Sequence, residues 1–100
     1  MKKIINGKLY NTETAKEIGS WWNGYGSSEF NHCAETLYQK NNGEYFMYGR
    51  GGALSIYAET HGSDVGWGNC IVPMTDKEAR AWAEEHLNAD EYLEAFKAEE

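Results

Sequence analysis

The sequence predicts an α+β fold: a three- to four-stranded antiparallel meander, with a short N-terminal helix and C-terminal helices packed on it. Three observations predict it. Residues 34–58 carry strand-like runs separated by Asn41-Asn42-Gly43 and by Gly49-Arg50-Gly51-Gly52. Thr75-Asp76-Lys77-Glu78 has the spacing of a capping box, ahead of a run with helical periodicity. Ile4-Ile5-Asn6-Gly7-Lys8-Leu9-Tyr10 carries the Asn-Gly pair that suits a type I′ hairpin turn.

Taken in order, the N-terminal hairpin leads to Asn11 or Thr12, which can cap a short helix through Thr14-Ala15-Lys16-Glu17-Ile18, ended by Gly19. Ala15 and Ile18, with Trp22, would face the core. Ser20 to Ser28 is rich in turn formers and rings and reads as an irregular loop. Residues 35–40 and 44–48 form the next two strands, and a hairpin turn with Arg50 exposed at its tip leads into a third over 53–58. Leu37, Leu54 and Ile56 look inward by period two. A polar stretch over 59–68 precedes a fourth strand, 69–74, which Pro73 marks as an edge or an exit. In the helix that follows, Ala79, Trp82, Ala83, His86 and Leu87 share one face, so Trp82 and Leu87 bury against the sheet. Asn88 stops it, and Asp90 starts another through Tyr92, Leu93 and Phe96.

One hundred residues suit a single compact domain over 1–100. Leu, Ile, Val and Phe number only 15, so four Trp and seven Tyr must supply much of the buried area. At least two of Trp21, Trp22 and Trp67 are therefore read as core. So small a core disfavours a deep cofactor pocket, and none is expected. Met1-Lys2-Lys3 is followed by too short an apolar run for a signal peptide, and no stretch approaches the roughly 20 apolar residues of a membrane span, so a cytoplasmic location is expected.

Sixteen acids oppose nine bases, for a net charge of -7. That balance disfavours direct binding of DNA or RNA, whose phosphates it would repel, and favours a basic partner. Residues 76–100 hold nine acids against three bases and so carry six of the seven net charges. Acids there that lie off the apolar face project into solvent or into a partner.

Catalytic and metal patterns are weak. His32, Cys33, His61, Cys70 and His86 show no ligand-pair spacing, which gives no metal site. Free, buried thiols are the simpler reading of Cys33 and Cys70 in a reducing compartment. A small hydrolase using Cys33, His61 or Cys70 is the remaining enzymatic alternative. Gly49-Arg50-Gly51-Gly52 lacks the Lys-Ser/Thr and the helix of a phosphate loop. Trp21, Trp22, Tyr25 and Trp67 among Gly, Asn and Ser suit a carbohydrate- or peptide-binding module.

Four segments carry a resemblance. They are 7–15 (GKLYNTETA), 35–40 (ETLYQK), 43–53 (GEYFMYGRGGA), and the ending Pro73-Met74-Thr75 with Glu78-Ala79 and Trp82-Ala83-Glu84. Together they are similar to a small-protein family of Firmicutes phages, plasmids and conjugative elements whose members resemble type II-A anti-CRISPR proteins. The resemblance spans nearly the whole chain and implies inhibition of a type II RNA-guided DNA nuclease, alone or with its guide RNA, by direct binding without catalysis. Such nucleases hold their heteroduplex in a positively charged channel. The expected contact residues are Glu84, Glu85, Asp90, Glu91 and Glu94, with Arg50 or Trp67 adding a specific contact.

Overall fold

The computed structural model describes residues 1–61 and 64–98, without the side chains of His61 and Asp64. The chain opens with a hairpin of β1 (Lys2–Ile5) and β2 (Lys8–Asn11). Asn6 and Gly7 take φ of 52° and 76°, the positive values that a type I′ turn demands of both central residues.

A four-stranded antiparallel sheet follows, built from β3 (Lys16–Trp22), β4 (Cys33–Gln39), β5 (Tyr45–Gly51) and, after a small hairpin, β8 (Gly68–Met74), in the order β3-β4-β5-β8. The small hairpin pairs β6 (Glu59–His61) with β7 (Asp64–Gly66). Two helices close the chain, α1 (Asp76–His86) and α2 (Ala89–Ala95), giving the α+β class that the sequence predicts. Among the described residues no helix is long and apolar enough to cross a membrane.

Each face of the sheet carries its own apolar cluster. Leu37, Tyr45 and Met47 meet Ala79, Trp82, Ala83 and Phe96 from the helices, with Ile18, Trp21 and Leu87 packed around them. On the reverse face Phe46 and Ile71 receive Tyr10 of the N-terminal hairpin. Glu44, in the β4–β5 turn, ties that hairpin down through Lys8 at 2.7 Å and takes Lys40 at 3.3 Å. Both helices start on complete capping boxes, Thr75 with Glu78 and Asn88 with Glu91.

The N-terminal helix is not formed. Residues 12–15 make a turn, in which the Ala15 amide donates to the Asn11 carbonyl at 3.1 Å, and residues 16–22 join the sheet as β3. An isolated helix of one turn or so nucleates poorly, whereas pairing with β4 satisfies a ladder of backbone groups. A register shift between Glu17 and Gly19 hides the period-two pattern of this strand. Gly19 ends no helix. A Cβ there would lie 2.6 Å from Leu87, so the missing side chain lets α1 settle on β3.

The 53–58 strand and its turn are also absent. β5 runs on through Arg50 to Gly51, and residues 52–58 form a strap of turns that crosses back over the sheet. Leu54 and Ile56 on this strap are 68% and 83% exposed, not inward. A Cβ at Gly49 would strike the Tyr57 ring, and one at Gly68 would strike the Tyr57 carbonyl. Of the glycines that suggest a turn, Gly49 and Gly51 are thus clearance for Tyr57 and Ser55 of the strap, and Gly52 is clearance for the Glu29 and Phe30 carbonyls. At least two of Trp21, Trp22 and Trp67 are expected in the core, and only Trp21 packs on it. Trp22, its strand neighbour, points to the other face and is 58% exposed, and Trp67 is 45% exposed.

Replacing Gly68 by Ala should lower stability by about 1–3 kcal/mol, because the obstacle is backbone and has no rotamer by which to step aside. Gly26→Ala, which meets open space, should stay within about 0.5 kcal/mol of the parent in urea denaturation. Equal effects at the two positions would refute the clearance role.

Candidate functional site

Two features stand out: an acidic helical surface with an apolar hollow, and a buried carboxylate at the foot of a cleft. The first comes from α1 and α2. Glu84, Glu85, Asp90, Glu91 and Glu94 are all exposed. Between the helices lies a hollow of about 400 Å³, lined by Ala83, Leu87, Ala89, Tyr92, Leu93 and Ala98 with Glu84 and Asn88 at its edge. Leu93 is 56% exposed there. An apolar centre beside charged groups has the anatomy of a protein-binding surface.

The five acids are not equivalent. Glu91 accepts the Asn88 amide at 3.1 Å, so its carboxylate caps α2. Asp90 lies in the first turn of the same helix, where negative charge favours the helix end. Glu85 reaches within 3.9 Å of the His86 ring. Among the described residues Glu84 and Glu94 have no such assignment, and both are exposed to a partner.

Arg50 and Trp67 lie elsewhere. Arg50 is inside β5, in register with Ala34 and Asn69, half-buried with its guanidinium 5.5 Å from the Tyr48 ring. It alternates with Gly49 and so points away from the helical face. The exposed turn tip expected for it is corrected by the continuation of β5. Trp67 precedes β8 and packs on His32, with ring centroids 5.4 Å apart. His32 is itself buried and donates Nδ1–H to the Tyr25 carbonyl at 2.7 Å, which fixes its tautomer.

The second feature is one the sequence reading passes over. Glu35 is on β4, one of the two inner strands, and shares the helical face with Leu37. It is only 9% exposed. Trp82 donates Nε1–H to its Oε1 at 3.0 Å, and the Tyr57 hydroxyl donates to its Oε2. His86 Nε2 stands 4.0 Å from Oε1, its ring between Trp21 at 4.5 Å and Trp82 at 5.1 Å. A cleft of about 500 Å³ opens from this point, walled by Trp21, Tyr25 and Cys33 and lipped by Leu54 and Ile56. A signal was available in the sequence. Period two from Leu37 puts Glu35 inward, and an inward carboxylate on a covered face requires a partner.

Thiolate chemistry is disfavoured here. Burial, then the Glu35 charge, pushes the Cys33 thiol up, and burial likewise raises Cys70. Both cysteines are free thiols, and a protonated thiol is a poor nucleophile. The His61 side chain lies outside the described residues. Among those described, no three His, Cys, Asp or Glu side chains converge to hold a metal. What the cleft offers is a carboxyl group held by two neutral donors and flanked by rings.

Burial, followed by the hydrogen bond to Glu35 and its charge, holds the Tyr57 phenol well above the ordinary tyrosine range. An unfolded tyrosine loses its proton near pH 10. Above that pH the folded chain binds more protons than the unfolded one, so this contribution to stability is complete below about pH 10 and is lost as the pH climbs. Tyr57→Phe should lower stability at about pH 8 by about 1–3 kcal/mol, through the lost donor to Glu35, and flatten the fall between about pH 9 and 11. Urea midpoints across that range read both, and an unchanged alkaline slope would contradict the Tyr57 assignment.

No family model, curated protein or solved structure matches the chain.

Proposed function

We propose that this protein is a non-catalytic inhibitor of a type II RNA-guided DNA nuclease, docking its C-terminal helices on a basic surface of the nuclease or of its guide-RNA complex. The observation that carries the reading is the apolar hollow of α1 and α2 beside exposed Glu84, with Glu94 exposed on the same α2 helix. Acidic groups steer the domain towards a cationic channel, and the hollow receives an apolar side chain once contact is made. The net charge of -7 and the resemblance of the 7–15, 35–40 and 43–53 segments to mobile-element inhibitors support it. Inhibition by occupancy requires no nucleophile, in keeping with thiols whose ionisation is suppressed.

A carbohydrate- or peptide-binding module is the second reading, favoured by the exposed rings of Trp22, Tyr25, Phe30 and Trp67. Calorimetry against glycans with the parent and Trp67→Ala separates it from the first. Heat that depends on Trp67, with no effect on cleavage, supports the module.

The direct test is DNA cleavage by type II effectors, with the protein added before or after guide loading. Block only before loading places the contact on the guide-binding channel, and block after loading places it on the DNA-binding or cleavage step. Combining Glu84→Lys with Glu94→Lys should weaken inhibition about tenfold or more while leaving the fold intact, since neither carboxylate caps a helix. Full inhibition by that variant would move the interface off the helices. No block by the parent in either order would reject the inhibitor reading.

A further inference from the structure

We propose that the cleft ending on Glu35 is a receptor for one arginine side chain presented by a basic partner protein. The starting point is an electrostatic imbalance. Glu35 is 9% exposed, and the groups that hydrogen-bond it, Trp82 Nε1–H and the Tyr57 hydroxyl, orient the carboxylate without neutralising it. Among the described residues, no lysine or arginine forms an ion pair with it; His86, which also lines the cleft, stands at the outer limit of ion-pair distance, 4.0 Å from Glu35, and is shared with Glu85 at 3.9 Å. A buried charge held by neutral donors is costly unless a counter-charge arrives. Each Glu35 oxygen accepts one described hydrogen bond and retains a lone pair for another donor.

The surroundings match a guanidinium on an alkyl stem. Trp21 and Tyr25 wall the cleft, and a planar cation stacks on such rings while its edge donates two parallel hydrogen bonds to a carboxylate. Leu54 and Ile56, 68% and 83% exposed at the mouth, offer apolar contact to the three methylenes that carry the head. A volume of about 500 Å³ open to solvent admits such a side chain from outside. Lysine fits less well, because its compact ammonium is more strongly hydrated and cannot donate in parallel to both oxygens. The chain's net charge of -7 draws basic proteins generally, and this cleft supplies the point that selects a residue. The inference shares with the inhibitor reading only the basic character of the partner. It concerns a different surface from the hollow and stands whichever basic protein is bound.

The test is a titration of the ¹⁵N-labelled protein with three blocked amino acids: N-acetyl-arginine N-methylamide, its lysine counterpart, and its citrulline counterpart, which keeps the shape and loses the charge. Arginine should shift the Trp21 and Trp82 indole N–H signals saturably, with an affinity on the order of millimolar for so small a ligand. Lysine should bind several-fold more weakly, and citrulline should leave the signals in place. Glu35→Gln should abolish the shifts. Because that change also disturbs the core, Leu54→Ser with Ile56→Ser serves as a second variant, altering exposed positions and weakening arginine binding about threefold or more. Equal shifts by arginine and citrulline, or arginine binding unchanged in the lip variant, would overturn the proposal. Arginine binding by a parent that inhibits no nuclease would sink the inhibitor reading and leave the cleft standing. Inhibition by a parent that ignores arginine would do the reverse.

Discussion

A carboxylate placed on the covered face of a sheet has to be hydrogen-bonded where water is excluded, and three separate pieces of the chain meet at Glu35 to do it. Trp82 comes from α1, Tyr57 from the strap after β5, and Glu35 itself from the inner strand β4. These partners lie 47 and 22 residues away, so the contact closes two large loops at one point. It anchors α1 one turn before its end, where His86 lies against Trp21. It also holds the strap across the sheet, which builds one lip of the cleft.

The strap explains the glycine pattern. In sequence, glycines at 49, 51 and 52 around an arginine look like a tight turn, and turn chemistry is the commonest reason for such a cluster. Here they are bare backbone beneath another segment of chain. Tyr57 could not lie over β5 and β8 with a side chain at Gly49 or Gly68, and without Tyr57 one Glu35 oxygen would lose its described donor. Leu54 and Ile56 follow from the same geometry. A segment that crosses the sheet by the Tyr57 ring, the Tyr57 carbonyl and Ser55 leaves Leu54 and Ile56 facing out.

The two faces of the sheet consequently do different work. The N-terminal hairpin seals one with Tyr10 on Phe46 and is braced by Glu44 between two lysines. The other carries the helices, and these have a second side. Capping uses Glu78 and Glu91, while Glu84 and Glu94 stand clear. An acidic residue near a helix start is there for the helix as much as for any partner, so charge count alone overstates the binding surface.

Features decided within a few residues were legible in the sequence: the Asn6-Gly7 turn, the 41–43 turn between two strands, the strand ending at Met74, the Thr75–Glu78 box and the burial of Trp82. In each case the physical cause, a φ preference, a cap or a period, acts locally and leaves its mark on neighbouring residues. The parts that only the tertiary structure decided are β3 in place of a helix, the strap in place of a strand, and the Glu35 cleft. Lys16–Trp22 becomes a strand because β4 offers it a ladder and because Leu87, far along the chain, fills the space at Gly19. Tyr57 and Trp82 meet Glu35 only once sheet, strap and helix are all in place. No local propensity encodes that meeting, because the free energy that selects it comes from contacts between residues distant in sequence.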